Sequence, residues 1–130
     1  MGRILAAAAP EARLMVEGML AGHAITYVSS LAQAQACLRQ QSFDLIFCGV
    51  LFDESRMLEL LRLTKSDPDW ERIPFVCARI KGKILSSPKA LKTAAFTAQV
   101  LGASAFVDAR DCESDPRRLR LVIDEVLEGK

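Results

Sequence analysis

The stretch "FDLIFCGVLF", residues 43–52, contains the clearest strand signal in the 130-residue chain. An acidic residue, Asp44, precedes a nearly continuous apolar run, which Gly49 interrupts before the polar letters "DESR". A short apolar run bounded by turn signals is typical of a strand that is buried on both faces of a parallel sheet. The carboxyl ends of such strands face the crevice where open parallel sheets bind ligands. A residue without a side chain at that end therefore bears on function.

Short apolar runs alternate with longer segments of helical period along the chain, which predicts five strand-helix units around a parallel sheet. The predicted strands are 3–8, 24–28, 44–49, 74–79 and 105–108. The predicted helices are 11–22, 31–40, 54–65, 88–102 and 115–128, with start signals at Ser29 and Ser30 and at Asp115 and Pro116. We expect residues 1–130 to form one doubly wound α/β domain with five parallel strands.

Composition excludes several classes of protein. The chain is 51% hydrophobic and 25% charged with a formal net charge of +1, which gives no bias toward nucleic acid or a membrane surface. No apolar run approaches the roughly 18 residues that a membrane span needs. The four cysteines are widely spaced, and only His23 could join them in a metal site. We therefore expect a cytoplasmic protein without metal, disulfide framework or cofactor.

Common catalytic and cofactor motifs are missing. The segment "AAAAPE", residues 6–11, has no glycine for a phosphate loop and no hydroxyl residue for a flavodoxin-like phosphate site. The serines lack a base, because His23 lies near the start of the second predicted strand, away from the carboxyl edge. No catalytic residue is predicted, and an enzyme of unknown chemistry is the minority interpretation.

Several stretches resemble the receiver domain of bacterial response regulators, the CheY-like family, over essentially the whole chain. "RILAAAAPE" (3–11) corresponds to the family's R-I-L-V-V-D-D-E, and "FDLIFCGVLFDESRMLELLR" (43–62) to P-D-L-I-I-L-D-I-M-L-P-D-M-D-G-L-E-L-L-R. "GHAITYVSSLAQAQACL" (22–38) is similar to G-H-x-V-x-x-A-x-x-G-x-E-A-L-x-x-L. "IPFVCAR" and "GASAFVDAR" resemble I-P-V-I-x-L-T and G-A-D-D-Y-L-x-K-P.

In that register, the family's phosphorylation pocket is substituted throughout. Gly49 stands where the resemblance places the phosphoacceptor aspartate, and Ala8 and Ala9 stand at the acidic pair that holds Mg²⁺. Arg79 stands at the family's switch threonine or serine, and Ala109 stands at its lysine. Arg110 stands at the proline after that lysine. In the loop after the third strand, Asp53 and Met57 replace the family's proline and glycine. An aspartyl-phosphate needs a carboxylate nucleophile and a cation bound by oxygen ligands. The resemblance implies a flavodoxin-like sheet of strand order 2-1-3-4-5. It also implies a degenerate pseudo-receiver that signals in a two-component-type pathway by protein contact, without phosphorylation.

An alternative interpretation is a small-anion or nucleotide sensor. Arginine suits phosphate and carboxylate geometry, so Arg79 and Arg110 could convert the former cation pocket into an anion pocket. The chain from Arg79 through Val107 has no acidic residue. The competing interpretation is that Asp53 and Asp108 pair with these arginines, because a buried arginine needs a carboxylate or water.

The helix 4 and helix 5 face is the predicted site for a protein partner or a homodimer. In the family, signals commonly pass through the face formed by helix four, strand five and helix five. At about 100° per residue, Phe96 and Val100 point away from the sheet, and so does Leu121. The predicted rim is charged and consists of Arg117, Arg118, Asp124 and Glu125.

Overall fold

The computed structural model describes residues 2–50, 52–79, 88–108 and 117–128, without the side chains of residues 55, 88–91, 108 and 117–119. The strands are β1 Arg3–Ala7, β2 Ala24–Val28, β3 Leu45–Gly49, β4 Phe75–Arg79 and β5 Ala105–Asp108. The helices are α1 Arg13–Met19, α2 Leu31–Gln40, α3 Met57–Lys65, α4 Pro88–Val100 and α5 Arg117–Glu128. Short helical turns at Pro10–Ala12 and Phe52–Ser55 precede α1 and α3.

All five strands form one parallel sheet in the order β2-β1-β3-β4-β5. The predicted fold class and strand order are confirmed. β3 and β4 are buried at every position, as expected for central strands with helices on both faces. No helix among the described residues is long and apolar enough to cross a membrane.

The core consists of two clusters, one on each face of the sheet. Alternate residues of β1 enter different clusters: Leu5 and Ala7 on one side, Ile4 and Ala6 on the other. The first cluster packs under α2, α3 and α4 through Leu38, Leu61 and Ala98, among others. The second packs under α1 and α5 through residues that include Val16, Leu20 and Ile123.

Three predicted helices have different bounds in the structure. The helix predicted over 11–22 is a short turn followed by α1, and Gly22, with φ 98°, lies three residues beyond Met19. The helix predicted over 88–102 ends at Val100, before Gly102 with φ 107°. The helix predicted to start at Glu54 starts at Met57, because Asp53 and Glu54 have left-handed backbone angles that interrupt it. The predicted start signals at Asp115 and Pro116 lie outside the described residues.

The start of α2 agrees with the sequence. Ser30 is extended and its side chain accepts a hydrogen bond from the Gln33 amide at 3.2 Å. The Gln33 side chain in turn accepts from the Ser29 amide at 2.9 Å. This reciprocal pair is close to a capping box, and it satisfies amides that a helix start leaves without an intrahelical partner.

Candidate functional site

Three of the predicted pocket residues lie at the carboxyl edge of the sheet. Ala8 directly follows β1, Gly49 ends β3 and Arg79 ends β4. The register pairs Ala7 with Cys48 and Gly49 with Ala78, so these chain positions meet at the same level of the sheet. Ala109 lies outside the described residues, and so does Arg110.

The backbone around Ala8 and Ala9 is used within the fold. Ala8 is fully buried; its amide donates to the Val28 carbonyl at 3.2 Å, and its carbonyl accepts from the Tyr27 hydroxyl at 3.0 Å. The Ala9 carbonyl accepts from the Ala12 amide at 2.9 Å. Tyr27 was not identified from the sequence, although an aromatic hydroxyl at the end of an edge strand is a signal that a polar atom there needs a partner.

These residues do not fit a magnesium ion. Mg²⁺ is bound in proteins through carboxylate and other oxygen ligands, whereas Ala8, Ala9 and Gly49 carry no side-chain oxygen. Within residues 2–50, 52–79, 88–108 and 117–128, no three histidine, cysteine, aspartate or glutamate side chains are grouped closely enough to hold a metal. Ala8, Ala9 and Gly49 therefore give the carboxyl edge of the sheet no side-chain ligand for Mg²⁺.

Arg79 is buried at this edge, with only 5% of its surface exposed and its Nε atom inside the protein. The β4–β5 register places Asp108 opposite Arg79. A buried guanidinium has to be compensated by an acceptor or an opposite charge. The pairing of Arg79 with Asp108 stays a prediction, because the side chain of Asp108 lies outside the described part of the structure.

Asp53 has a contact that the sequence did not predict. Its carboxylate accepts a hydrogen bond from the Leu31 amide at 2.8 Å, at the start of α2, and its pairing with an arginine stays a prediction. Asp53 has φ 44° and ψ 64°, a left-handed conformation that brings the loop after β3 toward α2. The sequence gives no warning of this geometry, because the residues are Asp-Glu where glycine would be the usual signal.

Two thiols lie side by side just inside the same edge. Cys48 and Cys77 are register partners on β3 and β4, and both are fully buried in the first cluster. Burial raises the pKa of the Cys77 thiol to about 12. Burial, and to a lesser extent the neighbouring Cys77, raises the pKa of Cys48 well above the ordinary range. Both thiols are protonated at neutral pH, and neither is an activated nucleophile.

The apolar residues predicted for the partner face are exposed. Phe96 and Val100 on α4 are 69% and 68% exposed, and Leu121 on α5 is 61% exposed. The two helices lie on opposite faces of the sheet, since α4 packs on the first cluster through Ala98 and α5 on the second through Ile123. We call this surface, defined by Phe96, Val100 and Leu121, the α4–α5 face.

The predicted charged rim is described only in part. Asp124 and Glu125 are exposed on α5, whereas the side chains of Arg117 and Arg118 lie outside the described part of the structure. Asp124 Oδ1 lies 3.8 Å from Nε2 of His23, a contact that the sequence did not predict. Among the large apolar side chains that the structure describes, the most exposed is Leu14 on α1, at 83%, well away in sequence from the predicted face.

Comparisons with known proteins identify the fold. No protein-family model matches the chain, and no curated protein matches it. The receiver domain of NtrX from Brucella abortus is 25% identical, has a TM-score of 0.74, and aligns over 98% of this chain and 99% of its own. The signal receiver domain of a signal transduction histidine kinase from Syntrophus aciditrophicus is 22% identical, with a TM-score of 0.76 over 99% of this chain and 92% of its own.

A third solved structure is the receiver domain of the sensor histidine kinase PA1611 from Pseudomonas aeruginosa PAO1. It is 15% identical, with a TM-score of 0.74 over 98% of both chains, and it has a magnesium ion coordinated in its active site cleft. From the parallel order β2-β1-β3-β4-β5 and these full-length structural matches, we conclude that the chain has the CheY-like receiver fold of two-component signalling proteins.

Proposed function

We propose that this chain is a receiver-like signalling module that does not accept a phosphoryl group and acts by binding a protein through the α4–α5 face. The observation that carries the proposal is the exposure of Phe96, Val100 and Leu121, each above 60%, on two helices of a receiver fold. Phe96 and Val100 are four residues apart on α4, so their side chains are neighbours on the helix surface. Together the three residues offer an apolar centre for a partner.

The absence of phosphorylation is supported by the residue types at the carboxyl edge. Gly49 has no carboxylate to attack a phosphodonor, and Ala8 and Ala9 have no oxygen ligands for a divalent cation. Phosphoryl transfer depends on charge neutralisation around the transferred oxygens. The module is therefore proposed to exist in one covalent state, and its output to depend on the availability of its partner.

The partner is proposed to be a signalling protein or a second copy of the chain. A two-fold contact needs only a self-complementary surface, and α5 carries arginines at 117 and 118 and carboxylates at 124 and 125. Burying an aliphatic or aromatic side chain contributes about 1.5 to 3 kcal/mol, whereas rim charges mainly affect orientation and association rate. Substitution of the apolar residues should therefore weaken association more than substitution of the rim charges.

The test combines sedimentation velocity with site-specific photo-crosslinking in the producing cell. The crosslinker is placed at Phe96 or at Leu121, and the crosslinked species are identified by mass. We expect a second copy or one protein partner to be captured at both positions. Capture should be abolished by Phe96→Glu when the crosslinker is at residue 121, and by Leu121→Glu when it is at residue 96. Sedimentation should show the same loss of association.

Leu14→Glu is the matched control, because it places the same charge on a leucine that is 83% exposed on α1. It should leave association unchanged. If Phe96→Glu and Leu121→Glu stay folded by circular dichroism and still associate as the wild type does, the proposed face is wrong, and residues 80–89 become the next candidate surface. A stable, hydroxylamine-labile phosphoprotein formed with Mg²⁺ would contradict the other half of the proposal.

The anion-sensing alternative is separable by experiment. Arg79 is buried opposite Asp108 in the β4–β5 register, which favours a structural role for its charge. If the pocket binds an anion, the melting temperature should rise in phosphate or a nucleotide but not in chloride at equal ionic strength. An equal response to all of these salts is expected for the protein-contact function.

A further inference from the structure

His23, the single histidine of the chain, lies between two elements at the amino edge of the sheet. Its Nδ1 atom accepts a hydrogen bond from the Gly2 amide at 3.0 Å, just before β1. Its Nε2 atom, at the opposite side of the ring, lies 3.8 Å from Oδ1 of Asp124 on α5. The side chain of His23 is only 13% exposed, while that of Asp124 is 56% exposed. The imidazole ring of His23 thus lies between Gly2, just before β1, and Asp124 on α5.

The Gly2 contact fixes which nitrogen carries the proton. An atom that accepts a hydrogen bond cannot also hold a hydrogen in that direction, so the neutral ring has its proton on Nε2. That N–H points toward Asp124 at a distance beyond a good hydrogen bond. In the neutral state, the ring is therefore held by Gly2 more firmly than by Asp124.

Taking up a proton from solvent reverses these two contacts. Nδ1 gains a hydrogen and becomes a donor, so it can no longer accept from the Gly2 amide. The ring becomes an imidazolium and attracts the Asp124 carboxylate through a charge-assisted contact at Nε2. The Gly2 carbonyl remains bound to the Ala24 amide at 3.0 Å, so the change is confined to the Gly2 amide, the ring and α5.

The charged groups around the ring come from two places. Asp124 faces it from α5, where Arg120 and Glu128 lie one helical turn away on either side. Beside Gly2 are Arg3 and Asp44, and the Asp44 carboxylate accepts from the Arg3 amide at 2.8 Å. The turn at residues 20–22 before His23 has no ionisable side chain.

We propose that His23 is a proton-operated link, which binds the Gly2 amide when neutral and releases it to bind Asp124 when protonated. The inference does not rest on the proposed function. It adds one consequence to that function, because Asp124 is also one of the residues predicted for the rim of the α4–α5 face. Protonation draws this rim carboxylate toward His23, so association through the face should depend on pH in the range where histidine changes charge.

The experiment is nuclear magnetic resonance on the ¹⁵N-labelled 130-residue chain, whose mass confirms that Met1 is retained and that Gly2 has a backbone amide. Long-range ¹H–¹⁵N spectra at about pH 8 should show the Nε2–H tautomer of His23. During titration to about pH 5, the Gly2 amide proton should shift upfield together with the change in the His23 ring nitrogens. His23→Gln, whose amide oxygen can still accept from Gly2, should keep the Gly2 amide unchanged over this range.

At about pH 5, Asp124→Asn should change the chemical shifts of the His23 ring nitrogens, because it removes the carboxylate that lies next to Nε2. Glu125→Gln, which removes the same charge from the next residue, should leave these shifts unchanged. An Nδ1–H tautomer at high pH, a Gly2 amide that does not follow the ring, or equal shifts in the two variants would each overturn the proposal.

Discussion

At the scale of single residues, Gly49 is the position where one substitution most directly tests the absence of phosphorylation. We predict that Gly49→Asp alone does not create a phosphoacceptor, because Ala8 and Ala9 still provide no oxygen for Mg²⁺ and Arg79 ends the neighbouring strand. The measurement is the intact mass after incubation with a small phosphodonor and Mg²⁺, together with the fluorescence of Trp70 during Mg²⁺ addition. A mass increase of one phosphoryl group, lost in hydroxylamine, would show that the prediction is wrong.

The paired thiols of Cys48 and Cys77 give a prediction about alkaline stability. Their folded pKa values are raised, to about 12 for Cys77, above the value of 9.0 for a free thiol. The contribution of the two protonated thiols to the free energy of unfolding is therefore fully present below about pH 9. It is lost as the pH rises toward the folded pKa, because the thiols ionise first in the unfolded chain. By pH 10, ionisation of Cys77 in the unfolded chain should lower the free energy of unfolding by about 1 kcal/mol, and Cys48 should act in the same direction.

Urea denaturation at about pH 8, 9 and 10 tests this loss. Cys77→Ala should reduce the fall in the free energy of unfolding between pH 8 and 10 by about 1 kcal/mol relative to wild type. Val76→Ala is the matched control, since Val76 is fully buried on the same strand and does not ionise; its curve should run parallel to that of the wild type. Parallel curves for Cys77→Ala as well would contradict the assigned burial effect.

Among these residues, the sequence was a good guide where a side chain acts locally. The Ser29-Ser30 start of α2 follows from the preference of serine for helix N-caps, and Ser30 is the cap. The contact between Tyr27 and the Ala8 carbonyl joins residues 19 apart, and no local preference predicts it. The same holds for His23, whose two partners, Gly2 and Asp124, are brought to it only by the folded sheet and α5.

At the scale of elements, the loop after β3 is connected to α2 by the Asp53 carboxylate. We predict that Asp53→Ala lowers the free energy of unfolding by about 1 to 2 kcal/mol, because it removes the acceptor for the Leu31 amide and places alanine in a left-handed conformation. Chemical denaturation provides the measurement. Asp53→Asn is the control, since asparagine tolerates this conformation and its oxygen can still accept; it should retain most of the stability. Equal losses in both variants would argue against the hydrogen bond.

The same loop explains why one helix boundary was mispredicted. Apolar periodicity correctly indicates a helix that buries Met57 and Leu61. It does not indicate that Asp53 and Glu54 adopt left-handed angles, because the polar letters "DESR" are compatible with a first helical turn. The cause is tertiary: the contact of Asp53 with α2 holds the loop in a conformation that local preference would not select.

At the scale of the whole molecule, the alternation of strands and helices was sufficient to predict the fold class. Short apolar runs specify parallel strands, and right-handed crossovers restrict how the helices cover the sheet. The strand order came from the family resemblance, and the structure has that order. The partner and the output of the module cannot be predicted in this way, because an exposed apolar face specifies where a protein can bind but not which one.

The two core clusters share the central strands, and we predict that they unfold together. β1, β3 and β4 contribute alternate side chains to both clusters, so neither side can lose its packing without disrupting the sheet beneath the other.

Ile123→Ala, in the second cluster under α5, should lower the free energy of unfolding by about 2 to 5 kcal/mol. Trp70 packs against the first cluster, on the opposite face, yet its fluorescence midpoint should shift as far as the midpoint of far-ultraviolet circular dichroism. Leu121→Glu, on the exposed side of the same helix, should move neither midpoint appreciably. If Ile123→Ala shifts the circular dichroism transition and leaves that of Trp70 in place, the two faces unfold independently and the prediction fails.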